Sequence, residues 1–363
     1  MRVLVVNTGS SSLKLSLLEG ERVETSTTIE RWDGPGDLGP LRDFIGRAGD
    51  IQAVGHRVVH GGPQHRASVR VDESVVDYLD SIADLAPLHN PRAVAAIRAV
   101  GEVVPDLPGV AAFDTSFHAT IPAAAATYAL PREWNSRFAL RRYGFHGLSH
   151  ASAVRRAAAL VGRPASSLRM VTCHLGAGAS LCAVRAGRSV DTTMGFTPLA
   201  GLVMATRAGS VDPGLVLWLL EHGDVEVETL SAVLEHRSGL KGLSGTSGDL
   251  RDVLEARATG DPDATLAFDV YVHRLVREIG AMAAAAGGLD VLVFTGGMGE
   301  HSPELRAAAT EGLRFLGVEV DGTANQATGD ADLTAEGAIV RTVVVTAAED
   351  VEVARETASV LSG

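Results

Sequence analysis

The sequence predicts an α/β protein of about two domains, and three observations support this class. At 363 residues the chain is long enough for roughly two domains, and 46% apolar residues supply a core. Only 4% of the residues are aromatic, so small side chains must fill the space between helices and a sheet. Strand-like apolar runs also alternate with helical patterns along the chain.

An internal repeat organises the chain. Residues 1–23 and 170–190 share an apolar run, a small-residue turn and a second apolar run, at an offset of 167 positions that places Asn7 on His174. We expect each copy to be a β-hairpin whose Gly- and Ser-rich turn exposes backbone N–H groups to an anion. Two such turns facing each other would hold a polyphosphate. Glycine-containing hairpins also occur without this function, so the repeat alone leaves the function open.

Composition excludes several classes of partner. The formal net charge is −12, without the dense basic surface that sequence-independent nucleic-acid binding requires, so we expect no nucleic-acid partner. No apolar stretch reaches 18 residues and no secretion signal is visible, so we expect a cytoplasmic protein that does not bind a membrane. Cys173 and Cys182 flank the second turn, and in a reducing compartment we expect two free core thiols.

The first half of the chain continues with helical patterns at 75–85 and 91–100. The next strand, within 109–118, puts Asp114 and His118 near its C-terminal end, where open α/β sheets usually carry ligand sites. These two residues are therefore candidates for a site.

The second half predicts a helix capped by Asp212, a long helix at 263–286 and a terminal strand and helix. Between them, a buried strand leads through a glycine turn to a helix that Ser302 caps, with Pro303 at its first position. A helix amino end attracts negative charge, so this segment could be a nucleotide site or an ordinary βα turn.

Standard nucleotide motifs are absent from the sequence. There is no G-x-x-x-x-G-K-[ST], and the two near matches to G-x-G-x-x-G, at Gly176 and Gly297, lack the third glycine. The spacing of His146 and His150 would allow zinc binding on a helix, but no third ligand is evident. The sequence therefore predicts neither a P-loop, nor a Rossmann protein, nor a zinc enzyme.

Two arginines suggest the chemistry. In the strand GHRVVHGG, alternation puts Arg57 and Val59 on one face, and a guanidinium beside a small apolar group fits a short carboxylate. A structural ion pair is the common alternative for one arginine. Arg207, however, lies in a second Gly- and Ala-flanked loop, and loops carry functional groups disproportionately.

Ten collinear segments resemble the acetate kinase family. They are NTGSSSLK from Asn7, GHRVVHGG from Gly55, PLHNP from Pro87, FDTSFH from Phe113, RRYGFHGLSH from Arg141, HLGAGAS from His174, TPLAGLVMATRAG from Thr197, GDLRD from Gly248, FTGGMGE from Phe294 and AAEDVEVARET from Ala347. The resemblance implies two duplicated ribonuclease-H-like domains of the actin-like ATPase superfamily with a cleft between them. The domains would be 1–116 plus 350–363, with a returning C-terminal helix, and 117–349, with the nucleotide site.

The resemblance also implies the reaction: reversible, direct in-line transfer of the ATP γ-phosphoryl group to acetate, giving acetyl phosphate and ADP. It further implies Mg²⁺, for which Mn²⁺ could substitute, and a homodimer. Propionate kinase activity, a catalytically weak actin-like regulatory protein and pyrophosphate as phosphoryl donor remain as alternatives.

Site residues follow from the resemblance position by position. The catalytic residues would be Arg57, His89, Asp114, His146 and Arg207. The two arginines would bind the carboxylate and the transferring phosphoryl group. His146 would donate a hydrogen bond to the equatorial oxygens of that phosphoryl group. Asp114 would hold metal-bound water or orient Arg207, because an ionised carboxylate needs no general base. The pocket for the acyl methyl group would contain Val59, Leu88, Phe145 and Pro198.

The same resemblance assigns the metal and nucleotide positions. Asn7 and Glu349 would position Mg²⁺, directly or through water. The first phosphate turn would include Ser10, Ser12 and Lys14, and the second His174, Gly176, Ala177 and Gly178. The adenosine pocket would consist of Asp249, Leu250, Arg251, Gly297, Met298 and Gly299. The chain departs from the family pattern at Ala177, where Asn is usual, and at Ala200, where Glu is usual.

Overall fold

The computed structural model describes residues 1–9, 12–32, 34, 36 and 38–363. The chain forms two compact units. The first consists of Met1–Ala119, Phe145–Ser152 and Ala348–Gly363, and the second of Thr120–Gly144 and Ala153–Ala347. Each contains a mixed sheet with helices, so the predicted α/β class is correct.

Twelve strands form within the described residues. They are β1 (Arg2–Thr8), β2 (Ser12–Glu19), β3 (Arg22–Glu30), β4 (Ala53–Val58), β5 (Val69–Arg70), β6 (Gly109–Phe113), β7 (Arg169–Leu175), β8 (Ala179–Arg185), β9 (Arg188–Thr192), β10 (Val291–Thr295), β11 (Ala331–Asp332) and β12 (Arg341–Val344). The first sheet has the order β3-β2-β1-β4-β6-β5 and the second β9-β8-β7-β10-β12-β11. The two orders correspond strand for strand, with the same parallel and antiparallel pairings, which confirms the predicted duplication.

Fourteen α-helices occur in the described part of the chain. They are α1 (Gly39–Ala48), α2 (Glu73–Ser81), α3 (Asn90–Val103), α4 (Ala123–Ala126), α5 (Arg132–Arg137), α6 (Gly147–Leu160), α7 (Pro213–His222), α8 (Val227–His236), α9 (Gly239–Ser244), α10 (Leu250–Ala258), α11 (Pro262–Ala286), α12 (Gly296–His301), α13 (Pro303–Glu311) and α14 (Glu349–Ser362). Asp212 caps α7 and Ser302 caps α13, as predicted. The glycine segment expected to be a turn is instead the short helix α12, whose first N–H, on Gly296, donates to the side chain of Glu300.

The repeated hairpins are β1–β2 and β7–β8, and their strands begin 167 positions apart. For one amide in each turn, the expectation that it is free needs correction. The Gly9 N–H donates to the Ser12 carbonyl at 2.8 Å, and the Gly176 N–H donates to the Gly178 carbonyl at 3.0 Å. These two amides close their own turns, because a tight turn satisfies its donors locally.

The core of the first unit lies on both faces of its sheet. On one face, strand residues including Leu4, Leu15 and Val54 pack with residues of α1 and α3. On the other, Val3 and Val5 pack with Val353 of α14. The approach of α14 is close, since a Cβ on Gly55 would lie 2.5 Å from the Thr357 hydroxyl oxygen.

One segment groups differently from the predicted domain boundaries. The expected boundaries place residues 145–152 in the second domain, yet these residues belong to the first compact unit. Leu148 packs in the same cluster as Val3 and Ala112, and the Gly147 N–H donates to the Asp114 carbonyl at 2.8 Å. Long-range packing therefore outweighs proximity in sequence.

Both cysteines are buried and free, as predicted. Burial raises the pKa of Cys173 and raises the pKa of Cys182 to about 12, so neither is a reactive thiolate at neutral pH.

Candidate active site

In the first unit, the carboxyl ends of three parallel strands bring polar residues together. Asn7 on β1 pairs in register with Arg57 on β4, and Asp114 follows directly after β6. Glu349 is the first residue of α14, which packs against the same sheet. Side chains at this edge of a parallel sheet are placed where such folds usually bind ligands.

Arg57 is the centre of this group. Its Nε and Nη2 atoms donate to the two carboxylate oxygens of Asp114 at 3.0 and 2.7 Å. Its Nη1 donates to Asn7 Oδ1 at 3.2 Å and lies 3.1 Å from Glu349 Oε2. We refer to Asn7, Arg57, Asp114 and Glu349 as the arginine cluster. Asp114, expected to hold metal-bound water or to orient Arg207, uses both oxygens to fix Arg57.

Burial and charge act in opposite directions on Arg57. Its side chain is 19% exposed and that of Asp114 only 2%. Burial disfavours the guanidinium charge, but the carboxylates of Asp114 and Glu349 outweigh that effect and raise the pKa of Arg57. The arginine is therefore a permanent cation held rigidly on one side by Asp114.

Two residues expected at the first phosphate turn, Ser12 and Lys14, lie on β2. Lys14 lies on β2 and forms an ion pair with Asp350 of α14 at 2.7 Å. Ser12 begins the same strand and is half-buried. Ser10 lies outside the described residues. Lys14 therefore binds the first turn of α14, the helix that begins at Glu349.

His146 immediately precedes α6 and is half-buried. Its φ of 57° lies in the left-handed region, which is uncommon for residues with a side chain and often occurs at functional sites. His89 precedes α3 and is also half-buried. Both histidines belong to the first unit.

Three of the four predicted acyl-pocket residues also belong to the first unit. Val59 follows β4 and is half-buried, whereas Leu88 is 52% exposed. Phe145 is 1% exposed, with its ring edge-on to that of His60 at 5.6 Å. Pro198 is half-buried in the second unit, where its carbonyl accepts a long hydrogen bond from Arg207 at 3.4 Å.

Arg207 contrasts with Arg57. Besides Pro198, its Nη1 contacts only the sulfur of Met204, at 3.8 Å, and no carboxylate of the described residues lies within 4.0 Å of its guanidinium. Burial lowers the pKa of Arg207, opposed by the more distant charge of Glu235. This half-buried cation lacks a close counter-ion, as expected of a group that receives an anionic ligand.

The second unit contains a pocket of about 610 Å³. This volume suits a small-molecule ligand. Seven residues predicted to bind the nucleotide line it: Gly176, Ala177, Asp249, Leu250, Arg251, Gly297 and Met298. His174, Gly178 and Gly299 lie nearby in sequence but do not line it.

Asp249 and Arg251 form a local pair at the edge of this pocket. Asp249 caps α10 by accepting the Arg251 N–H, and their side chains form a bidentate ion pair. The hydrogen bonds from the Arg251 side chain and backbone lower the pKa of Asp249 to about 2. The carboxylate is therefore ionised throughout the physiological range.

Sequence reasoning missed several lining residues, namely Ala205, Thr206, Leu254 and His301. Ala205 and Thr206 directly precede Arg207, and the Ala205 N–H donates to the Ala177 carbonyl at 3.1 Å. Their only sequence signal was their position within the loop that carries Arg207.

No helix of the described chain has the length and apolar character to span a membrane.

Comparison with known proteins identifies the family. Residues 41–355 match the Acetokinase family. The acetate kinase of Nostoc punctiforme is 43% identical over 398 residues, covering 98% of each protein. The crystal structure of Porphyromonas gingivalis acetate kinase superposes with a TM-score of 0.93 at 34% identity over 99% of each chain.

A crystal structure of a propionate kinase from Francisella tularensis is also similar, with a TM-score of 0.91 and 32% identity over 99% of each chain. The two-domain actin-like ATPase fold expected from the sequence is the fold of these relatives. On the match of residues 41–355 and the identity over nearly its whole length, this chain belongs to the acetokinase family.

Proposed function

We propose that the chain is an acetate kinase that reversibly transfers the γ-phosphoryl group of ATP to acetate, giving acetyl phosphate and ADP. ATP is the co-substrate in this family. The observation that carries the proposal is the arginine cluster, a guanidinium fixed by the two oxygens of Asp114 and ion-paired with Glu349, at the carboxyl end of a parallel sheet.

The unused donors of Arg57 fit a carboxylate. A guanidinium has five N–H groups, and three of those on Arg57 donate to Asp114 and Asn7. One N–H therefore remains on each terminal nitrogen, which is the pair that a second carboxylate accepts in a bidentate contact. Glu349, 3.1 Å from Nη1, would compete with acetate for one of these donors.

Phosphoryl transfer places charge on the equatorial oxygens of the transferred group, so positive groups and hydrogen-bond donors supply most of the catalysis. Arg207 suits this role because it has no carboxylate counter-ion among the described residues. The His146 imidazole would donate to the same oxygens. An acetate oxygen is already ionised near neutral pH, so no side chain needs to remove a proton.

Asn7 and Glu349 would hold Mg²⁺, with Mn²⁺ as a substitute. Amide and carboxylate oxygens are the hard ligands that Mg²⁺ prefers, and Mg²⁺ usually keeps several waters, so two protein ligands suffice. Asn7 Oδ1 lies 3.2 Å and Glu349 Oε2 3.1 Å from Arg57 Nη1, so both oxygens are at the same edge of the sheet, and binding the ion would require them to turn from the guanidinium toward it. When bound, the ion would neutralise charge on the ATP phosphates.

The nucleotide would occupy the 610 Å³ pocket of the second unit. A Cβ on Gly297 would meet nothing within 4 Å, so the pocket has open space at this glycine. Ala177 lines the same pocket. The family resemblance implies Asn at this position, so one polar contact to the phosphates would be missing.

Propionate is the second candidate acceptor, supported by the similarity to the Francisella propionate kinase. One methylene contributes only about 0.8 kcal/mol of burial, so a small apolar pocket separates the two acids weakly. Leu88, 52% exposed, is the predicted pocket residue with most room to move.

We further propose a cytoplasmic homodimer. The free buried cysteines suit a reducing compartment. The helix α7 exposes Leu215, Leu217 and Trp218 by 47%, 59% and 54%, and none of its residues is buried. An exposed apolar helix of this kind is typical of a surface that a second subunit covers.

The proposal is tested by trapping the acyl phosphate with hydroxylamine. Acetate, propionate and butyrate are each combined with ATP, GTP or pyrophosphate, with and without Mg²⁺. We expect hydroxamate from acetate and ATP only when Mg²⁺ is present. No hydroxamate from any carboxylate would instead support the alternative of a regulatory nucleotide-binding protein.

A further inference from the structure

His118 makes a specific contact behind the candidate active site. It lies in the short 3₁₀ turn Ser116–Thr120 that follows β6, and its side chain is completely buried. Its Nε2 is 3.0 Å from the carbonyl oxygen of Phe145. A carbonyl can only accept, so His118 Nε2 must carry the proton and donate it. Burial lowers the pKa of His118 to about 4, which keeps the ring neutral at physiological pH.

The acceptor of this bond is the peptide immediately before His146. On the other side of His146, the Gly147 N–H donates to the Asp114 carbonyl at 2.8 Å. A Cβ at position 147 would lie 2.2 Å from that oxygen, so only glycine fits there. The peptide groups on both sides of His146 are therefore bonded to the single segment 114–118.

This double attachment explains how His146 keeps its unusual backbone. A residue with φ of 57° persists only where its surroundings hold it in place. The same segment also fixes Arg57 through the Asp114 carboxylate. Residues 114–118 thus determine the positions of two of the proposed catalytic side chains of the first unit.

We propose that His118 is a positioning residue, which holds the Phe145 carbonyl and thereby places the His146 imidazole for phosphoryl transfer. The inference depends on the proposed function, in which His146 contacts the transferred group. His118 itself contacts no substrate.

The test is a double-mutant cycle between His118→Leu and His146→Ala, measured by hydroxamate formation. His118→Leu should lower kcat by up to about 100-fold, because small misplacements of a catalytic group have effects of this size. The KM for ATP should stay near the wild-type value. His118→Gln retains an N–H donor of similar reach and should recover most of the loss. In the His146→Ala background, His118→Leu should change kcat by less than about twofold.

Gly147→Ala provides an independent variant if His118→Leu fails to fold. This substitution disturbs the hydrogen bond between the Gly147 N–H and the Asp114 carbonyl, which is the other attachment of His146. It should lower kcat to a similar extent, and in the His146→Ala background it should likewise have almost no further effect on kcat. Losses that multiply fully in the double variants would overturn the positioning role and leave the proposed function intact. Wild-type kcat in His146→Ala alone would overturn both the role of His146 and the positioning that depends on it.

Discussion

The two sheets share one strand order, but the residues at their corresponding ends differ. In the first sheet, β1 and β4 pair Asn7 with Arg57, whereas the equivalent strands β7 and β10 of the second pair His174 with Thr295. Charged groups surround Arg57, whereas two glycines follow Thr295. The repeated topology fixes where each site lies, and the residues that follow the strands decide what it can bind.

The arginines of the two units show the same contrast. Arg57 forms ion pairs with Asp114 and Glu349. Arg207 has no carboxylate within 4.0 Å among the described residues. Arg57 is therefore part of the folded framework of the first unit, whereas no close carboxylate among the described residues holds Arg207 in the second.

The largest expected difference between the units is in acid stability. All five buried histidines of the described chain lie in the first unit: His56, His60, His65, His118 and His150. Burial lowers the pKa of His56, His60 and His118 to about 4. The unfolded chain takes up these protons near pH 6.5, so stability is lost as the pH falls from about 6.5 to 4, by about 1.4 kcal/mol per pKa unit for each histidine.

Hydrogen exchange, corrected for intrinsic rates, would measure this effect in each sheet. Protection of β1, β4 and β6 should fall over this pH range, ahead of β7, β10 and β12. Equal losses of protection in both sheets would contradict the view that the buried histidines make the first unit more sensitive to acid.

Arg57→Ala should have the largest effect of any single substitution. The loss of the guanidinium should lower kcat by about 10²–10³-fold and raise the KM for acetate. It also leaves the Asp114 carboxylate, 2% exposed, without its partner, which should cost about 3–5 kcal/mol of unfolding free energy. Hydroxamate kinetics and urea unfolding measure the two effects. Arg57→Lys is the matched control, because it restores charge without the bidentate fork. Unchanged stability in Arg57→Ala would show that the arginine cluster is not structural.

Arg207→Ala should separate activity from stability. We expect a roughly 100-fold lower kcat with little change in the acetate KM, because its contacts form mainly in the transition state. The unfolding free energy should change by less than about 1 kcal/mol, since no close ion pair is broken. A loss of stability as large as that of Arg57→Ala would remove the contrast between the two arginines.

The smallest expected effect is at Ala177, which lines the nucleotide pocket. Ala177→Asn should raise turnover with ATP, because a restored polar contact to phosphate is worth about 1 kcal/mol, or roughly fivefold. Steady-state kinetics with ATP provides the measurement, and Ala177→Leu is the control for side-chain size. An equal or lower rate in Ala177→Asn would count against a phosphate contact here.

Features that depend on local sequence could be predicted. The two hairpins follow from apolar runs around small-residue turns, and Asp212 and Ser302 cap their helices through contacts within three residues. The position of Asp114 at the carboxyl end of β6 could also be predicted, because strand ends are readable from the sequence pattern.

Features that depend on long-range contacts could not be predicted. Lys14 and Asp350 are 336 positions apart in sequence, and only the packing of α14 on the first sheet joins them. The attachment of Gly147 to Asp114 and the lining position of Thr206 likewise require the folded chain. The family resemblance indicated the candidate site residues, but it did not indicate which of these residues contact one another.

We propose that the second unit binds the nucleotide while the arginine cluster of the first acts on the acceptor. Calorimetric titration of ADP into folded Arg57→Ala, without acetate, measures nucleotide binding separately from acceptor binding. We expect a Kd within about threefold of the wild-type value, because all the described residues that line the pocket belong to the second unit. A tenfold or greater loss of ADP affinity would contradict this division of roles.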